Sequence, residues 1–361
     1  MPIIKNQNRR GLQYNQNVPP SNPKIGDTYY YKDQGDIIQR GSSEWKRVLG
    51  GYGPGSDYGY ITGGYDVSSP YVSTIERITF PFDSGTATLL GNLSITSYAH
   101  SGCNSSAHGF SMGGYNGSEM SVIDRITFPF DSGNASYVGN LSQSRWIVSG
   151  FNSSNYGYVC GGFGSVSRFS SITRIIFPFS SGTSVNLGNL SKSRTQSASC
   201  NSSAYGFSIN GDNGVNAYTC IDRIIFPFNS GNATHVGNST SSKYGFSGCN
   251  SSNYGFSFGG WTGSINLSNI NRITFPFDSG TASNIGNLSN SLSASAGCNS
   301  TIYGYSIAGI ISSRISSIDR ITFPFDTGTS STVGNLNSTK NAGAGIDGVD
   351  FVSQFCNWAT N

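Results

Sequence analysis

Apolar residues in this chain seldom run for more than a few positions, and where they recur they alternate with polar ones. In "IERITFPFDSG", which begins at Ile75, the side chains of Ile78, Phe80 and Phe82 share one face of an extended strand, and Arg77 and Thr79 share the other. No stretch carries the three-to-four spacing of an amphipathic helix, and glycine, serine and asparagine close each short apolar segment with turn chemistry. The pattern predicts short strands throughout and an all-β fold.

The same segment returns as "IDRITFPFDSG", "ITRIIFPFSSG", "IDRIIFPFNSG", "INRITFPFDSG" and "IDRITFPFDTG". Its arginines, Arg77, Arg125, Arg174, Arg223, Arg272 and Arg320, are separated by 48, 49, 49, 49 and 48 residues, a regularity that means stacked or ringed copies of one unit. Each unit holds four strand signals. They are an aromatic strand such as "YGFSFGG", the arginine strand, a third strand such as "TATLLGNLS", and a small-residue segment such as "SAGCNSS" leading into the next aromatic strand. Four antiparallel strands per unit of nearly fifty residues predict the blades of a β-propeller. The double glycines Gly63-Gly64, Gly113-Gly114, Gly161-Gly162 and Gly259-Gly260 resemble those of the kelch repeat. Asn210-Gly211 and Ala308-Gly309 depart from it, and phenylalanines stand where that family has tyrosine and tryptophan.

Proline cannot donate to a sheet ladder, so Pro81 and its equivalents belong where the arginine strand leaves its sheet, with the flanking phenylalanines packed between blades. The arginine row is expected to be structural, tying blades together through backbone carbonyls or through the acids Glu76, Asp124, Asp222 and Asp319.

Beyond six full copies, "YYYKDQG" (29–35) aligns with "TFPFDSG" (79–85), and residues 343–356 match a small-residue segment followed by an aromatic strand. This favours a seventh blade shared by the two ends over six blades with a separate amino-terminal hairpin. The corresponding division is a leader at 1–20, a hairpin segment at 21–50 that contributes to the closing blade, and propeller repeats at 51–361. The segment Pro20–Val48 also resembles the short "NP-x-x-GD-x-W/Y-Y…G…W" element of bacteriophage tail and fibre proteins, with Tyr29 at the usual tryptophan. That resemblance implies a virion protein.

Composition narrows the function. Charged residues are 11% of 361, and the net charge of +3 gives no general attraction to nucleic acid. The amino terminus lacks an apolar run, so neither a signal peptide nor membrane insertion is expected. Cys200, Cys249 and Cys298 recur where another copy has Phe151, which reads as apolar packing. His100, His108 and His235 show no ligand spacing, and the "DSG" turns carry one carboxylate each, so no metal, cofactor or catalytic residue is expected.

In a four-stranded meander, the loops after the aromatic and third strands emerge on one side of the disc. These loops diverge from copy to copy, while "DSG" and "NSS" on the other side hardly change. The divergent face carries Tyr65, Tyr71, Tyr98, Tyr115, Arg145, Trp146, Arg194, Lys243, Tyr244 and Trp261, materials suited to adaptable recognition. The expectation is a non-enzymatic phage tail or fibre appendage, present in multiple copies, that binds other virion proteins and uses this face for a host-surface glycan or protein. The rival readings are a purely architectural virion protein and an intracellular kelch-type interaction module.

Overall fold

The computed structural model describes strands at Thr28–Tyr31, Asp36–Arg40 and Trp45–Leu49, and residues 58–348 without interruption. The three amino-terminal strands pair antiparallel in chain order as a sheet of their own, within a unit separate from the one that holds the repeats.

The repeats form a ring of six sheets. The second blade shows the plan: a small-residue inner strand (Ser101–Asn104), the aromatic strand (His108–Met112), the arginine strand (Val122–Thr127) and an outer strand (Ser136–Asn140). The small-residue strand therefore opens the following blade instead of closing its own. In the first blade the inner strand comes from the far end of the chain. Ala344–Asp347 pairs antiparallel with Tyr58–Gly64, matching Ala344 with Thr62 and Asp347 with Gly59.

The seven-blade count is thus corrected to six. Among the described residues, once Ala344–Asp347 completes the first blade every repeat strand has its sheet, and the strands between Thr28 and Leu49 pair with one another. The match between "YYYKDQG" and "TFPFDSG" reflected a shared strand-turn pattern and no shared place in the ring. The leader at 1–20 and the aromatic strand expected within 349–356 lie outside the described residues.

Three sets of contacts join neighbouring blades, and each runs round the full circle. The phenylalanine before each proline stacks on the aromatic strand of the preceding blade. Phe128 lies on Tyr60 at a centroid distance of 5.3 Å, Phe177 on Phe110 at 5.2 Å, and Phe80 of the first blade on Tyr305 of the last at 5.1 Å. Such pairs contribute about 0.5–1.5 kcal/mol each beyond area burial. Each arginine of the repeated row reaches the turn of the following blade. Arg77 donates to Phe130 O (3.3 Å) and Asp131 (2.5 Å), Arg174 to Phe228 O (3.0 Å) and Asn229 (2.7 Å), and Arg320 to Phe82 O (3.1 Å) and Asp83.

Four of the six arginines, Arg77, Arg223, Arg272 and Arg320, pair with the aspartate of that turn, and the acids Glu76 and Asp124, expected as partners, point elsewhere. Glu76 meets Lys340, and Asp124 accepts from Ser94 N (2.8 Å) and Oγ (2.6 Å) in the loop that enters its own blade.

The third set is backbone. Ala135 N donates to Asn92 O (2.8 Å), Ser184 N to Asn140 O (2.8 Å), and so on to Ala87 N and Asn335 O (2.9 Å), which joins the first blade to the sixth. In this way the turn of each blade covers the outer strand of the one before it, leaving no free edge there. The close approach explains the glycine of the repeated "GN" pair: a Cβ on Gly91 would overlap Gly133 O, and one on Gly188 would overlap Gly231 O.

The inner strands encircle a narrow polar channel with a cavity of about 130 Å³. At its end on the divergent side the backbone closes a hydrogen-bonded circle. Ala99, Ile147, Gln196, Gly245, Ala294 and Ala342 each donate N–H to the carbonyl of the preceding member, over 2.6–3.2 Å, and Ala99 donates to Ala342. At the other end stand Asn104, Asn152, Asn201, Asn250, Asn299 and Asp347. Four of their side-chain oxygens accept a neighbouring strand's N–H, as Asp347 does from Asn299 at 2.7 Å. The cysteines behave as apolar filling: Cys103, Cys200, Cys249 and Cys298 are buried on the inner strands, and burial raises their thiol pKa.

Candidate functional site

The aromatic-to-arginine loops and the loops between blades meet on one face, because both follow strands that run in the same direction. Their first residues pair across six backbone bridges: Tyr65 with Asn341, Tyr98 with Tyr115, Trp146 with Phe163, Thr195 with Asp212, Tyr244 with Trp261, and Ser293 with Ile310. These twelve positions are equivalent in backbone and unlike in chemistry. A glycine or a residue forced into positive φ precedes each bridge, which aims the next side chain onto the face. Gly113 and Gly114 have φ of 72° and 109°, and the two departures from the double glycine, Asn210 and Ala308, keep the conformation at 55° and 58°.

In the first three blades five of the six bridge residues, all but Asn341, are aromatic and touch. Tyr65 lies 5.7 Å from Tyr98, Tyr98 lies 5.6 Å from Trp146, Tyr115 lies 4.9 Å from Trp146, and Trp146 lies 6.2 Å from Phe163. Tyr71, from the longer loop of the first blade, packs against Tyr65, Tyr98 and Tyr115 at 6.0, 6.0 and 5.9 Å. All six rings are half-buried, so the cluster supports itself and still offers surface to solvent. Burial pushes the Tyr98 hydroxyl up to about 12, with the neighbouring tyrosines adding to the shift, so it stays a neutral donor at any physiological pH.

A guanidinium borders the cluster at each end. Arg314 stands 4.3 Å over Tyr65, and Arg168 stands 5.5 Å over Phe163 while also meeting Asp212 at 3.4 Å. Thr195 and Asp212 interrupt the aromatic run in the fourth blade. Tyr244 and Trp261 of the fifth are half-buried and paired by backbone bonds of 3.0 and 2.8 Å, apart from the chain of ring contacts.

The structure divides the sequence-derived residues accordingly. Tyr65, Tyr71, Tyr98, Tyr115 and Trp146 come together, and Tyr244 and Trp261 form a separate pair. Arg145, Arg194 and Lys243 do not face solvent at all: each is 0% exposed. Arg145 donates to Gly161 O (3.1 Å) and Ser171 Oγ (3.0 Å), Arg194 donates to Asn210 O (3.2 Å) and pairs with Asp222, and Lys243 donates to Gly259 O (2.8 Å). With Lys340 they form a second structural row that pins four of the six inter-blade loops to strands beside them, Ser97 and Leu292 holding the other two positions. Arg145, Arg194 and Lys243 stand 49 residues apart and Lys340 a further 97 on, and that spacing carried the signal.

His100 is also internal. Its Nε2 lies 3.0 Å from Thr62 Oγ1, and burial with the nearby Lys340 lowers its pKa to about 4. Sequence reasoning missed Phe163, which follows its double glycine as Tyr65 and Tyr115 follow theirs, and Arg168 and Arg314, which no repeat position marks. Among the described residues no group of three histidines, cysteines or carboxylates is placed to hold a metal ion. No protein-family model and no curated protein sequence matches the chain.

Proposed function

We propose that this protein is a non-enzymatic recognition module of a bacteriophage particle, a kelch-like propeller mounted on a tail or fibre, whose divergent face binds a saccharide on the host surface. The observation that carries the reading is the continuous cluster from Tyr65 to Phe163. Partly exposed tyrosine and tryptophan rings offer flat apolar area with polar rims at small conformational cost, which suits the faces of sugar rings.

Tyr58 starts its strand, and Asp347 ends the last one, on the side of the ring away from the cluster. The phage placement rests on the likeness of Pro20–Val48 to tail and fibre segments. Weak single sites would gain by repetition: several copies on one particle raise avidity by on the order of 10²–10⁴.

The test is retention of the purified chain on bacterial surface polysaccharides. The expected result is saturable binding that Trp146→Ala abolishes without lowering the unfolding temperature. Absence of binding to any surface glycan would favour a purely architectural virion protein or a protein-interaction module. A mass-spectrometric search of purified phage particles checks the placement separately.

A further inference from the structure

Resting on the recognition reading above, we infer that the saccharide is anionic and that Arg314 takes its acidic group. In the sixth blade the aromatic strand, Tyr303–Ile310, and the arginine strand, Arg314–Thr322, stay paired into the divergent hairpin through Gly309 with Ile315 and Ile310 with Arg314, the last rung matching the Tyr115–Glu119, Phe163–Arg168, Asp212–Ala217 and Trp261–Asn266 pairs of the second to fifth blades. A tight turn closes the hairpin, with Ile311 N donating to Ser313 O at 3.1 Å. This last rung places Arg314 over the Tyr65 ring of the first blade.

There the guanidinium is held without being neutralised. Its Nε donates to Asn341 Oδ1 at 2.6 Å and its Cζ lies 4.3 Å from the Tyr65 centroid, which fixes its plane against the ring. Among the described residues no carboxylate pairs with it, and its two terminal nitrogens carry no hydrogen bond. Of the acids on this face, Asp66 accepts from Ser68 N and Oγ, both at 2.9 Å, Asp212 takes Arg168 and Thr195, and Glu119 stands in the second blade's loop at the bridge with Tyr115, paired with no arginine among the described residues.

A guanidinium oriented by one hydrogen bond and one ring face, with its fork free at the edge of an aromatic cluster, matches two oxygens of one acidic group. The sugar rings would stack along Tyr65, Tyr98 and Trp146 with that group directed at Arg314. A uronate carboxylate and a phosphodiester in a surface polysaccharide share this chemistry.

The experiment uses the full chain and whichever bacterial capsular or lipopolysaccharide fragments it retains, each in three forms: native, carboxyl-reduced and dephosphorylated. Loss of at least tenfold in affinity on carboxyl reduction assigns a uronate, and the same loss on dephosphorylation assigns a phosphodiester. Arg314→Gln is expected to bring the native and the modified form to equal affinity, while Trp146→Ala loses both. Equal binding of all three forms by the unaltered chain would overturn the anionic preference and leave the recognition reading intact. Failure to retain any fragment would overturn both.

Discussion

The two faces of this ring come from the same six repeats and answer to different demands. On the uniform face each "DSG" turn lies along the outer strand of the preceding blade, receives that blade's arginine and hands a backbone N–H to its carbonyl. A change there must satisfy two blades at once. On the divergent face the backbone is fixed just as firmly, by the bridges from Tyr65–Asn341 round to Ser293–Ile310, yet the side chains after each bridge meet solvent. Uniformity thus marks where a repeat is its neighbour's partner, and diversity marks where it is nobody's.

The sharpest way to break the contrast is to add one carbon to the uniform side's inter-blade seam. Gly188→Ala drives a Cβ into Gly231 O, and backbone on both sides leaves nowhere to move. A loss of about 3 kcal/mol is expected in denaturant unfolding. Smaller, and dependent on pH, is the effect of Asp347→Asn. Asp347 stands where five blades have asparagine, and burial raises its carboxyl from 3.8 to about 7, opposed by the hydrogen bond from Asn299. A folded-state pKa above the unfolded one means that the folded chain holds the proton longer, so the native protein loses stability as pH rises from about 4 to 7. The variant escapes this. It should be more stable than the native chain at pH 8, by on the order of 2 kcal/mol given the channel's access to solvent, and equal to it below pH 4. Thermal unfolding at the two pH values reads the difference.

A tie at the rim is weaker. Arg223 bonds Phe277 O at 3.2 Å and Asp278, whose side chain is 66% exposed, so Arg223→Gln should cost about 1 kcal/mol, read by the same unfolding. The smallest change is expected at Lys243. It is buried without an acid, and its ammonium is pushed down to about 7 by desolvation, while the equivalent position of the next blade holds Leu292 with 2% exposure. Lys243→Leu should alter stability by less than about 1 kcal/mol at pH 7, since leucine already fills the equivalent position of the next blade and brings no charge to desolvate.

The blade plan was legible because its physical constraints repeat. The arginine row, the proline that ends its strand and the phenylalanines between blades each recur at 48 or 49 residues, and all three are structural. The blade count was not legible. A four-residue inner strand of small side chains, Ala344–Asp347, carries little pattern of its own, and whether it closes one blade or opens the next depends on pairing 282 residues away.

Within the candidate site, Tyr65, Tyr71, Tyr98, Tyr115 and Trp146 could be read as aromatics in the loops that diverge from copy to copy, whereas Phe163, although it follows a double glycine, was missed. The burial of Arg145, Arg194 and Lys243 could not be read from their loop alone, since a cation in a variable loop ordinarily faces water. Only their spacing gave them away. The position of Arg314 follows from the pairing of Ile310 with Arg314 at the end of its hairpin, a matter of register that composition does not encode.

The central claim is that recognition belongs to the connected aromatic cluster of the first three blades, with Arg314 at its edge, and not to the Tyr244–Trp261 pair of the fifth. The direct test titrates the retained polysaccharide into two double variants of the full chain, Tyr98→Ala with Trp146→Ala and Tyr244→Ala with Trp261→Ala. The account predicts at least a tenfold loss of affinity in the first and near-native affinity in the second. Native affinity in the first, or equal losses in both, would contradict it.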